Sequence, residues 1–180
     1  MIRAAAIAFA CVLAACAGGY QGPARTIRYD EVSGPGWLRA KAPTFVGART
    51  DDDCGPATVA MLLAAHGISP SPTVHAPAGG ASARSLRDEL RAHQLRAFVI
   101  VGTTSDLEHE LALARPVIVG TVKQVDGRPV QHLELVVALH PQQHVIVTFD
   151  PAAGVRRSPL AGFEDEWNGS KRTAIVALPP

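Results

Sequence analysis

Asp-Asp-Asp-Cys-Gly-Pro-Ala-Thr-Val-Ala-Met-Leu-Leu-Ala-Ala-His-Gly, residues 51 to 67, sets one cysteine directly before an apolar run with helical patterning. Pro56 suits the first helical turn, because the opening amides of a helix have no partner inside it and a missing N–H costs nothing there. Val59, Leu62, Leu63 and His66 recur at helical spacing, and Gly67 supplies the stop. The pattern predicts a helix with Cys54 at its N-terminus. Orphan backbone N–H groups and the positive end of the helix dipole favour negative charge there, so the position suits a thiolate nucleophile. The plainer reading is a structural cysteine, since cysteine is among the residue types most often buried.

At 180 residues, 47% of them hydrophobic, the chain is long enough for one domain with its own core. Lys plus Arg total 17 against 16 Asp plus Glu, so no bulk field draws in nucleic acid, and no nucleic-acid partner is expected.

Residues 1–15 carry one early cation, a short apolar core and small residues, the pattern of an export signal too short to span a bilayer. Leu13-Ala14-Ala15-Cys16 resembles the bacterial lipobox, which implies cleavage before Cys16 and acylation of its thiol and amine. An ordinary signal peptide cleaved nearby is the alternative. Ala17 rather than Asp follows Cys16, as in lipoproteins sorted to the outer membrane, so the expected location is the cell envelope, facing the periplasm. Cys11 leaves with the signal and Cys16 takes lipid, which makes Cys54 the one thiol of the exported domain. In an oxidising compartment such a thiol is either buried or used.

Residues 16–42, rich in Gly, Pro and charge without periodicity, read as a lipid-anchored flexible tether, and residues 43–180 as the folded domain. After the Cys54 helix, residues 68–82 form a Pro- and Gly-rich loop that lacks the Lys and Ser/Thr of a phosphate-binding loop and suits a flap near the site. Ser85-Leu86-Arg87-Asp88 and Ser105-Asp106-Leu107-Glu108 resemble capping boxes, each opening a helix followed by an apolar strand, Ala97 to Val101 and Val117 to Val122. Asp126-Gly127 is a hairpin turn. Gln131 to Leu139 then alternates, with Leu133, Leu135, Val137 and Leu139 on one face and His132, Glu134, Val136 and Ala138 on the other. A strand from His144 to Asp150, a helix around Phe163 to Trp167 and a strand from Thr173 to Leu178 complete an α+β domain. Phe163 and Trp167 read as core, and Glu134 as an exposed sheet residue.

A thiolate nucleophile needs a base to hold its proton, and the base needs a partner that fixes its tautomer. His132 and Asp150 can supply both. With Pro141-Gln142 as a two-residue turn, His140 pairs with Gln143, and His132 falls opposite Pro151 with Asp150 one position away. Neighbouring strands lie about 4.8 Å apart, so imidazole and carboxylate come within side-chain reach. Taken singly, His132 also reads as a sheet histidine and Asp150 as an Asp-Pro turn. The other histidines show no metal-ligand spacing, and no cofactor is implied.

Asp53-Cys54-Gly55-Pro56-Ala57, His132 beginning an apolar strand, Asp150-Pro151 ending the next and the late Phe163 and Trp167 resemble the double-glycine leader peptidases, bacteriocin-processing cysteine peptidases of papain-like fold. The resemblance spans residues 43 to 178. It implies a papain-like arrangement in which N-terminal helices pack on a C-terminal antiparallel sheet. It also implies Cys54 as nucleophile, His132 as general base and then acid, Asp150 as orienting residue, and a peptide or exported protein as substrate. Hydrolysis would pass through a thioester, with the Cys54 backbone N–H in the oxyanion site. These enzymes carry a glutamine six residues before the cysteine, whose side-chain amide helps bind the oxyanion; here that position is Ala48. A methyl group cannot donate a hydrogen bond, so the same residues also fit a catalytically weak or inactive domain that binds a peptide segment.

Overall fold

The computed structural model describes residues 20–41, 43–69 and 80–180. The expected signal peptide, the expected lipidation site Cys16 and most of the expected flap lie outside the described residues. In chain order the elements are β1 (Arg25–Thr26), β2 (Leu38–Arg39), α1 (Cys54–Ala65), α2 (Ala83–Ala92), β3 (Arg96–Val101), α3 (Thr104–Ala112), β4 (Val117–Val125), β5 (Arg128–His140), β6 (Val145–Asp150), β7 (Gly154–Pro159), α4 (Leu160–Gly169) and β8 (Thr173–Leu178).

Strand β5 is the spine. Asp126 and Gly127 both hold positive φ, 52° and 71°, which matches the twist of a two-residue hairpin and folds β4 back along β5. The sheet runs β1-β7-β6-β5-β4-β8-β3 with every pairing antiparallel. Beyond Val136, where β4 ends, β2 takes over beside Ala138 and Leu139.

The expected α+β class holds, with helices on both faces of the sheet. Val59, Leu62 and Leu63 of α1 and Leu86 and Leu90 of α2 pack on Leu135, Val137, Val147 and Phe149. Leu107 and Leu111 of α3 and Phe163 and Trp167 of α4 pack on Val117, Val119, Leu139 and Ile146. Helix α1 is buried nearly all round, with Gly55 under the chain at Ala81: a Cβ there would sit 2.8 Å from the Ala81 methyl.

Several local expectations shift. Helix α2 starts three residues earlier than its apparent capping box, because Ser82, not Ser85, accepts the amide of N3. Helix α3 is capped by Thr103, whose hydroxyl and Asp106 carboxylate reciprocate the box. The β5–β6 turn is longer than two residues: a 3-10 turn at Pro141–Gln143 and left-handed His144 set His140 opposite Val145. A bulge between Val136 and Ala138 takes up one residue, so Ala138 joins Val137 under α1 and Leu139 turns to the α4 face. Strand β7 carries no alternation strong enough to read in advance.

The largest departure is the segment read as a tether. Residues 20–41 lie on the domain. Tyr20 bridges to Val125, Arg25–Thr26 extend the sheet beside β7, and Val32 is buried at 2% exposure. Tyr29 meets Phe149 edge-on at 5.1 Å, and Trp37 meets His140 at 5.2 Å. Gly and Pro here shape a close-fitting path rather than a flexible linker.

Trp167 is fully buried, donates from Nε1 to the Thr173 carbonyl at 3.0 Å, and fills the space left open by Gly102. Trp167→Ala is expected to destabilise the domain by about 3–5 kcal/mol, read as a lower urea midpoint at unchanged m-value.

Candidate active site

Cys54 opens α1 directly after the 3-10 turn Asp51–Asp53, which delivers it to the helix N-terminus as the sequence pattern requires. His132 lies on β5 opposite Thr121 of β4, and Asp150 is the last residue of β6. The structure brings all three together. Cys54 Sγ lies 3.3 Å from His132 Nδ1, and His132 Nε2 lies 2.7 Å from Asp150 Oδ1. The longer turn and the bulge nearly cancel, so His132 and Asp150 still meet, although by diagonal reach rather than in the expected near-opposite register.

Asp150 is locked in place. Its Oδ1 also accepts the backbone amides of Ala152 at 2.9 Å and Ala153 at 3.1 Å, so the Asp-Pro turn serves to aim the carboxylate. Its Oδ2 takes the ammonium of Lys123 at 2.6 Å. Lys123 reaches Glu134 Oε1 at 3.0 Å as well, and Glu134 accepts hydroxyls from Thr121 at 3.0 Å and Thr148 at 2.5 Å. Glu134, expected at the surface, is therefore a buried carboxylate, 2% exposed. Lys123 escaped the sequence reading altogether. Its only signal was position: with Thr121, it continues the Val117–Val122 strand on the parity that pairs with the His132 face.

The charges set the proton affinities. Burial pulls the His132 imidazole down, but its hydrogen bonds to Asp150 and Cys54 and the nearby anions of Asp150 and Glu134 outweigh it, pushing it up to about 10. Burial raises the Asp150 carboxyl, yet His132 and Lys123 hold it well below the usual carboxylate range. Proton and charge thus reside as imidazolium against carboxylate across the neutral range.

Ala48 packs beside this turn, with its backbone amide donating to the Pro151 carbonyl at 2.8 Å. The position expected to carry an oxyanion-binding amide side chain thus sits beside the Asp150-Pro151 turn and carries only a methyl. Arg49 and Thr50 are exposed. A cleft of about 300 Å³ opens over Cys54 and His132, walled by Gly80, Gly120, Gln131 and Ser170. Among the described residues, no group of His, Cys, Asp and Glu is arranged to hold a metal ion. Nor is any described helix long and apolar enough to cross a membrane. The arrangement can carry acyl transfer: a sulfur nucleophile, a proton carrier in contact with it, and a fixed carboxylate behind.

Residues 41–175 match the model of the family described as Peptidase_C39 like. No curated protein matches the chain significantly. Among solved structures, the peptidase domain of Streptococcus ComA, a bi-functional ABC transporter involved in a quorum-sensing pathway, superposes with a TM-score of 0.61 at 23% identity, covering 78% of this chain and 99% of that one. A double-glycine-motif protease from an AMS/PCAT transporter, solved with its leader peptide, gives 0.58 at 19% identity, covering 79% and 94%. A C39-like peptidase from Bacillus anthracis gives 0.61 at 15% identity, covering 80% and 98%. At these identities the likeness carries the fold, and the fold is the papain-like arrangement of helices and antiparallel sheet.

The raised His132 affinity has a signed consequence for stability. Its contribution is fully present below its ordinary value of 6.5 and is lost as pH rises through about 10. The depressed Asp150 carboxyl acts oppositely, contributing above its ordinary 3.8 and failing on acidification. The urea-denaturation gap between the native chain and His132→Gln should accordingly be widest between about pH 4 and 6.5 and shrink toward pH 10.

Proposed function

The chain belongs to the Peptidase_C39 like family, and on that premise we propose that it is a cysteine peptidase that hydrolyses peptide bonds through a thioester on Cys54. The observation that carries the reading is the contact chain Cys54 Sγ, His132 Nδ1, His132 Nε2, Asp150 Oδ1 at 3.3 and 2.7 Å. Sγ attacks the scissile carbonyl carbon. As the S–C bond forms, charge gathers on the oxygen near the Cys54 backbone N–H. Collapse breaks the C–N bond, and the amine departs with the proton from His132 Nδ1. Water then gives a proton to Nδ1 and attacks the thioester, and the C–S bond breaks to release the acid and restore the thiolate. Asp150 keeps the ring in the required tautomer and orientation throughout.

The substrate proposed is an exported peptide or protein segment. One relative of like fold was solved with a leader peptide bound, and the cleft over Cys54 suits an extended chain. We further propose that Cys16 carries lipid and that the domain faces the periplasm from the outer membrane. Metabolic labelling with a clickable fatty acid should mark the native chain and fail in Cys16→Ser.

Ala48 favours a second reading, in which the same cleft binds a peptide with little or no turnover. An oxyanion donor contributes on the order of 10²- to 10³-fold in rate. In a peptide-cleavage assay, Cys54→Ala should abolish turnover, and His132→Ala should lower kcat by about 10²- to 10⁴-fold. Ala48→Gln should raise kcat on the order of 10²-fold or more. Peptide binding without cleavage in the native chain, unchanged by Cys54→Ala, would establish the second reading instead.

A further inference from the structure

Among the buried charged groups that the proposed chemistry does not use, Lys123 lies against the site itself. Asp150 has two oxygens and one task. Oδ1 is committed to His132 and two backbone amides, so whatever holds Oδ2 decides whether the carboxylate can rotate away. The terminal torsion of an aspartate is broad and roughly two-fold, and burial alone does not fix it. Oδ2 meets only one described hydrogen-bond partner, the Lys123 ammonium at 2.6 Å. We infer that Lys123 is a positioning residue: clamped between Glu134 and Asp150, its ammonium holds the Asp150 carboxylate in the orientation that aims His132 at Cys54. The inference rests on the peptidase reading of those three residues.

The clamp is built, not incidental. Lys123 is 5% exposed, so its charge faces little solvent and must be met by protein. Glu134 meets it and is itself held by Thr121 and Thr148, from the two strands flanking β5. Tyr20 lays its ring 5.1 Å from the ammonium and 4.6 Å from the Arg156 guanidinium, while its hydroxyl donates to Glu166. Tyr20 precedes the family match, which begins at residue 41. The roof over the clamp is therefore supplied by this chain's own N-terminal segment.

Charge gives the clamp a second effect. A cation beside Asp150 weakens the hold of that carboxylate on the His132 proton, and the Glu134 anion strengthens it. The groups facing Lys123 are Glu134 on β5, Asp150 ending β6 and Tyr20, with Arg156 of β7 and Glu166 of α4 beyond the Tyr20 ring. Removing either partner of the pair should thus move His132 in opposite directions, which simple loosening of the fold would not do.

The test is a titration of His132 by NMR on the full-length chain, with the pH profile of Cys54 alkylation by iodoacetamide as a second readout. Lys123→Gln, which keeps donors for both carboxylates, should raise the His132 midpoint by on the order of one pH unit, and Glu134→Gln should lower it. Lys123→Arg, which keeps the charge, should leave it near the native value. Midpoints that stay fixed, or that fall in both glutamine variants, overturn the inference. If Lys123→Gln does not fold, Glu134→Gln alone decides by the direction of its shift. Neither readout needs peptide turnover: a native chain that cuts no peptide would count against the peptidase reading and leave this test standing.

Discussion

The contact on which the site depends is the hydrogen bond between His132 and Asp150, 2.7 Å long and largely buried between β5 and the end of β6. Two residues eighteen apart in sequence meet there because the bulge largely offsets the longer turn along the hairpin. The longer turn shifts the pairing by two residues relative to a two-residue hairpin and the bulge takes one back, which leaves Asp150 within diagonal reach of His132. The bulge also moves Ala138 and Leu139 to new faces, which lets α1 seat against Val137 and Ala138 and so fixes where Cys54 arrives. Register, core and nucleophile position are therefore one constraint seen at three places.

Around that bond the protein buries an unusual density of charge. Lys123, His132, Glu134 and Asp150 are each sealed or nearly so, and isolated burial of any one would be severely unfavourable. Together they satisfy one another, with two threonine hydroxyls and two turn amides taking up the remaining lone pairs. Such a network holds a geometry more than it stabilises a fold. That rigidity serves the proposed role, since a nucleophile and its base must hold near-attack distances before any substrate arrives.

The N-terminal segment belongs to the same construction. Tyr29, Val32 and Trp37 pack on the sheet, and Tyr20 closes over Lys123 and Arg156. If Cys16 is lipid-anchored as proposed, the domain is held close to the membrane: residues 17–19 separate the anchor from Tyr20, which is fixed to the sheet.

By itself the sequence determined what depends on neighbours in the chain. The helix opening at Cys54, the Asp126-Gly127 hairpin, the Asp-Pro turn that aims Asp150 and the last strand, Thr173–Leu178, follow from periodicity and turn chemistry that a few adjacent residues carry. Those local signals were enough to single out Cys54, His132 and Asp150 as candidates, whereas Ala48 stood out only against the pattern of the family the sequence resembles. Tertiary structure alone decided which polar residues went inside. Lys123 and Glu134 look like ordinary exposed strand positions because alternation gives the parity of a side chain and not what covers it. The segment 20–41 looked like a linker because its Gly and Pro are read locally, whereas its order comes from Val32 entering the core and from Tyr29 and Trp37 finding partners more than a hundred residues away. Burial is a property of the assembled sheet, and no window of sequence contains it.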